Sequence, residues 1–114
     1  MDAAVVLKSD PFSWKAIQAY KIATALSFKL KVAFIVIKEG VYFLTDWSPC
    51  ELGYEDFKNY KVNKENLIFV VDKDDFTVRG LDKAKLWTED FTLQFLEEKD
   101  IAHILEEAKL VGVW

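Results

Sequence analysis

Three short, unbroken apolar runs constrain this chain more than any other feature: Ala3-Ala4-Val5-Val6-Leu7, Val32-Ala33-Phe34-Ile35-Val36-Ile37 and Leu67-Ile68-Phe69-Val70-Val71. A strand with one wet face alternates apolar and polar residues, whereas a continuous apolar run of this length is a strand covered on both faces. Strands of that kind belong to parallel sheets with helices on either side. The segment between the first two runs supplies the crossover. Ser9 or Asp10 is placed to cap a helix with Pro11 at its first position. Phe12, Ala16, Ala19, Tyr20, Ala23 and Ser27 then recur at three- and four-residue spacing, which predicts a helix ending near Lys29 with small residues turned toward a sheet. Strand, helix, strand within this length reads as a right-handed parallel unit.

The rest of the chain continues the pattern less regularly. Gly40 interrupts the second run, and Val41-Tyr42-Phe43-Leu44 fits either a short strand or a first helical turn. Residues 45–60 read as a long loop with at most a short helix around 54–60, and long ordered loops are often functional. After the third run, Asp72, Asp74 and Asp75 are placed to cap a short helix that stops at Gly80. Lys85 to Phe95 alternates as an extended edge segment would. Asp100 is expected to open a last helix with Ile101, Ile104, Leu105 and Ala108 inward, and Leu110 to Trp114 closes the chain as a strand. The fold class that follows is α/β, one three-layer domain over residues 1–114 with a mainly parallel sheet.

Composition narrows the function classes. With 114 residues, 52% of them hydrophobic, the chain can build a core without disulfide or metal staples. The net charge of −4 is the wrong sign for tracking a phosphate backbone, so nucleic acid is not an expected partner. No apolar run approaches the roughly 20 residues that cross a bilayer, and the start Met1-Asp2-Ala3 lacks a basic leader, so a cytoplasmic location is expected and no membrane partner. The 15% aromatic content exceeds what a minimal core needs, which makes subunit contacts an expectation. There is no Gly-x-Gly-x-x-Gly after the first run and no Walker-type Gly-Lys-Ser/Thr, so the chain implies no nucleotide cofactor.

Few residues carry candidate chemistry. Cys50 is the only cysteine. A thiolate is the one strong nucleophile a small chain can carry alone, but Glu51 and Asp46 raise rather than lower a thiol pKa, and an inert packed thiol is the competing reading. Asp72, Asp74 and Asp75 sit just past the C-terminal end of a strand, the edge at which open α/β sheets bind ligands. A calcium loop needs further oxygen ligands at fixed offsets, so capping competes with binding there and no metal site is assigned. Arg79, the sole arginine, beside Gly80 suits an anion or a partner carboxylate, against a structural salt bridge. His103, the sole histidine, reads as a packing residue, and each of Trp14, Trp47, Trp87 and Trp114 as core or interface.

The opening strand with its Ser/Asp-Pro turn, Lys31 to Ile37 followed by Gly40-Val41, the strand ending at Val71, Arg79-Gly80-Leu81, and the C-terminal helix running into Leu110 to Trp114 together resemble the DsrE/DsrF/DsrH sulfur-relay family, which includes the TusB, TusC and TusD proteins. The resemblance implies a three-layer α/β fold, assembly into homo- or hetero-oligomers with other sulfur-relay proteins, and a part in handing persulfide sulfur between cysteines. Sulfur-accepting members carry a cysteine shortly after the third strand, upstream of the Arg-Gly pair. This chain has Asp72 to Asp75 there. It is therefore similar to the non-catalytic members, and the expected role is a docking subunit. The alternatives are a sulfur carrier using Cys50, or a small-ligand binder using the segment from Gly40 to Gly53 and the carboxylates after the third strand.

Overall fold

The computed structural model describes residues 1–11, 13–45 and 60–114. They form a five-stranded sheet, β1 (Ala3–Leu7), β2 (Val32–Val36), β3 (Leu67–Asp72), β4 (Thr92–Leu96) and β5 (Leu110–Val113), in the order β4-β3-β2-β1-β5. Every pairing is parallel: Ala3 lies beside Val32 and Leu110, Val32 beside Leu67, and Ile68 beside Thr92. The three apolar runs occupy the three central positions, and every residue of β1 and β2 is buried. Continuous burial is what the absence of alternation required.

Because side chains alternate along a strand, the sheet presents two separate cores. Ala3, Val5 and Leu7 of β1, with Phe34 and Phe69, face helix α1 (Trp14–Leu26) through Ala16, Ala19, Tyr20 and Ala23. Ala4, Val6, Ala33, Ile35 and Val70 point the other way and pack on helix α3 (Glu98–Glu107) through Ile101. The result is the expected three-layer α/β architecture. The chain proceeds outward from β1 to β4, then α3 returns it across the opposite face to β5 beside β1.

The α1 face is filled with rings. Tyr20 lies 6.0 Å from Phe34, 5.6 Å from Phe43 and 5.6 Å from Trp87 between centroids, and Phe69 lies 5.0 Å from Phe91. Most of these contacts are edge-to-face, the arrangement that aligns ring edge with ring face. The Trp87 indole donates to the Phe43 carbonyl at 2.6 Å, which satisfies its polar end inside the cluster. Burial holds the Tyr20 hydroxyl well above the ordinary phenol pKa. Much of the aromatic excess is therefore core.

Several local expectations are corrected. The α1 N-cap is Ser13, whose hydroxyl accepts from the Lys15 N–H at 3.1 Å, so Ser9, Asp10 and Pro11 lie in the turn before the helix. The helix ends at Leu26 rather than near Lys29, with Ser27 as its buried C-cap on the same stripe: its Oγ donates to the Thr24 carbonyl at 2.6 Å and accepts from the Asn63 N–H at 3.0 Å. Of the two readings of residues 41–44 the helical one holds, as part of a 3-10 helix, Lys38–Leu44. Its close seat on β1 requires glycine, since a Cβ at Gly40 would overlap the Leu7 carbonyl oxygen and lie 2.8 Å from the carbonyl carbon. Extended structure begins at Thr92 rather than Lys85, because Leu86, Trp87 and Phe91 turn inward against the ring cluster. Helix α3 starts at Glu98, two residues before the expected Asp100, with Glu97 as an N-cap whose side chain makes no capping bond.

Candidate functional site

The C-terminal edge of the sheet is where the sequence placed its candidates, and the fold gathers several of them there. Asp72 ends β3 and its Oδ1 accepts from the N–H groups of Asp74 and Asp75 at 3.0 and 3.1 Å, which starts helix α2 (Lys73–Val78). The carboxylates of Asp74 and Asp75 lie in the first turn, where the helix dipole favours negative charge. Gly80, at φ 69°, follows Arg79 in the left-handed region and ends the segment as a glycine past a helix should.

Asp75 is a junction rather than a free ligand. Its Oδ2 accepts from the Lys38 N–H at 2.7 Å and its Oδ1 from Arg79 at 3.3 Å. Lys38 has φ 51°, a left-handed conformation that a side chain disfavours, and the bond from its amide to Asp75 fixes it there. Arg79 also donates to the Asp75 carbonyl at 3.0 Å and to Glu39 at 2.8 Å. The bond to Glu39 raises the guanidinium pKa, so this cation is committed to tying α2 to the 3-10 helix after β2. Of the two readings of Arg79, the structural salt bridge is the one its geometry satisfies.

Beside this network lies a cavity of about 400 Å³ between the ends of β2 and β3 and the start of α3. Ile37, Ile101, Ala102 and Leu105 form its apolar side, and Lys38, Asp72, Asp74, Asp75 and Glu98 its charged side. Asp72 and Asp75 already accept backbone N–H bonds, which leaves Asp74 and Glu98 as the carboxylates least engaged. No group of three or more His, Cys, Asp or Glu among the described residues has a geometry that could hold a metal ion. Arg79 does not line the cavity.

The candidates are thus divided. Asp72, Asp74 and Asp75 meet at one cavity, Arg79 stands behind it as a tie, and Cys50, Trp47 and the residues from 46 to Gly53 fall outside the described residues. His103 lies on the outer side of α3 with 74% of its side chain exposed, 3.8 Å from Glu106, so it is not the packing residue its position suggested. Lys38 and Glu98 were missed by sequence reading. Neither carries a local signal, because the cavity exists only once the chain returns from β4 through α3.

An all-parallel sheet with α1 on one face, α3 on the other and a polar cavity at its C-terminal edge defines a three-layer α/β protein. The YchN protein of E. coli, known from its crystal structure, has this fold and is matched with a TM-score of 0.71 over 100% of both chains, at 13% identity. At that identity the likeness speaks to the fold. No family model and no curated protein matches the sequence. No helix among the described residues is long and apolar enough to cross a membrane.

Proposed function

We propose that the chain is a non-catalytic docking subunit of a cytoplasmic sulfur-relay assembly, in which persulfide sulfur passes between cysteines of other proteins. The observation that carries this reading is the end of β3. In the family that the sequence resembles, sulfur-accepting members have a cysteine there. Here the position is taken by Asp72, Asp74 and Asp75, and the first of these is consumed in capping α2. A carboxylate cannot hold a sulfane sulfur, and its charge disfavours a nearby thiolate or persulfide anion.

The sheet edge supports docking as well. Leu110, Val111 and Val113 of β5 are 55%, 50% and 56% exposed, and among the described residues β5 pairs on one side only, with β1. Edge strands that must stay alone usually carry charges, prolines or bulges, and none lies within this strand. Capture of known sulfur-relay proteins by the tagged chain in its native host tests the reading. Specific capture is expected, and failure to capture any of them would remove it.

A second reading, binding of a small ligand, is favoured by the cavity. Its aliphatic side and unengaged carboxylates at Asp74 and Glu98 suit a small amine with an apolar body. Thermal stabilisation by alkylamines, lost in Asp74→Asn/Glu98→Gln, tests it, and no shift across the series counts against it. Persulfide transfer through Cys50 is separable from both: incubation with a sulfur donor would add one sulfur to the wild type and none to Cys50→Ser.

A further inference from the structure

The two helices that flank the sheet, α1 with the turn after it and α3 with its N-cap, carry opposite charge. From Ser13 to Lys31 the chain contains Lys15, Lys21, Lys29 and Lys31 and no Asp or Glu. From Glu97 to Glu107 it contains Glu97, Glu98, Asp100, Glu106 and Glu107 against the single Lys99. Helix α1 packs on one face of the sheet and α3 on the other, so the basic and acidic surfaces look in opposite directions.

The α1 surface is built for more than solvation. Trp14, Gln18, Lys21 and Ala25 are exposed at positions i, i+4, i+7 and i+11, one stripe opposite the buried Ala16, Ala19 and Ala23. Trp14 is 62% exposed at one end, and Phe28 is 55% exposed just past the other. Two large exposed rings at the ends of a 13-residue helix, about 20 Å long, are of the residue types enriched in interface cores, with the lysines between them suited to a charged rim. None of these lysines has an ion-pair partner among the described residues, although Lys21 lies 5.7 Å from the centre of the Tyr60 ring. On α3, the outward positions Glu106 and Glu107 flank Ala102 and His103, which leaves a shallow acidic strip.

We propose that the basic, aromatic-bracketed face of α1 docks on the acidic face of α3 of a second copy of this chain, giving a head-to-tail assembly. Charge complementarity selects the occupant: each molecule carries both halves of the contact, on opposite sides, where neither half can satisfy the other within one chain. The two patches differ, so the contact is heterologous, and copies continue until a ring closes or a filament forms. The inference deepens the docking reading, resting on it only in taking the chain to be an assembling subunit.

Charge reversal tests it on the full chain. Sedimentation at low ionic strength should show self-association of the wild type that weakens steeply toward about 1 M salt, where screening acts within about 3 Å. Lys15→Glu/Lys21→Glu cancels the basic charge of residues 13–31, leaving two Lys and two Glu, and Glu106→Lys/Glu107→Lys cancels the acidic charge of residues 97–107, leaving three residues of each sign. Each should weaken self-association by roughly tenfold or more, since one of the two complementary faces then carries no net charge to attract the other. An equimolar mixture of the two variants should restore assembly, because each then supplies the face the other lacks. Circular dichroism establishes that both are folded, and Gln in place of the reversed charge is the milder pair should either fail to fold. A monomeric wild type, an effect confined to one of the two variants, or a mixture that stays dissociated would each overturn the proposal. Loss of assembly in these variants is read without any sulfur-relay partner, whereas the docking reading fails only when such partners are not captured.

Discussion

At Asp72 one carboxylate holds two backbone N–H groups, and that is enough to predict its substitution. Asp72→Ala should lower stability by about 1 kcal/mol and Asp72→Asn by distinctly less, because an asparagine oxygen accepts the same bonds. Urea unfolding checks this, and equal losses would mean that capping is not what Asp72 contributes. Gly40 is more sensitive. Gly40→Ala drives a methyl into the Leu7 carbonyl, with no flexible side chain to give way, and a loss of about 2 kcal/mol or more is expected in the same measurement. Tyr20 contributes to the response to alkali. Its burial raises the folded-state pKa, so the folded chain keeps a proton that the unfolded chain releases near pH 10. Stability from this group is therefore whole below about pH 10 and is lost as pH rises above it, by up to about 1.4 kcal/mol per unit. Unfolding midpoints between about pH 9 and 11 should fall more steeply in the wild type than in Tyr20→Phe.

Elements were legible in the sequence wherever a residue's local signal and its burial agreed. The runs at residues 3, 32 and 67 became β1, β2 and β3, and the acidic triplet with Gly80 gave both ends of α2. Boundaries failed where two residues competed or none spoke. Ser9, Asp10 and Ser13 are all capable caps, and only tertiary placement chose Ser13; Glu97 precedes α3 without a capping bond, so nothing local marked that start. The alternation from Lys85 onward misled because Trp87 and Phe91 reach the core from turns, not from a strand. The cavity was legible on its β3 side and illegible on its α3 side, since Glu98 and Ile101 join Asp74 only through long-range closure. The β5 edge carries its own prediction. Val111→Lys/Val113→Lys places charge on side chains already half exposed, so stability should change by no more than about 1 kcal/mol while capture of sulfur-relay partners is lost. Unchanged capture with the fold intact would move docking away from this strand.

As a whole, the molecule is a three-layer α/β domain whose β3 end carries carboxylates where the sulfur-relay family it resembles would place a cysteine. The sheet, its two helical layers and the cavity at its C-terminal edge are those of a three-layer α/β protein, in which Asp72 and Asp75 serve as cap and tie. What remains are surfaces: an open β5 edge, a basic α1 face and an acidic α3 face. The most direct test is native mass spectrometry of the chain, wild type and Cys50→Ser, mixed with a sulfur-relay carrier already holding persulfide. Complexes of both forms, with the extra sulfur staying on the carrier, are the predicted result. No complex, or sulfur moving to the wild type and not to Cys50→Ser, would contradict a docking role.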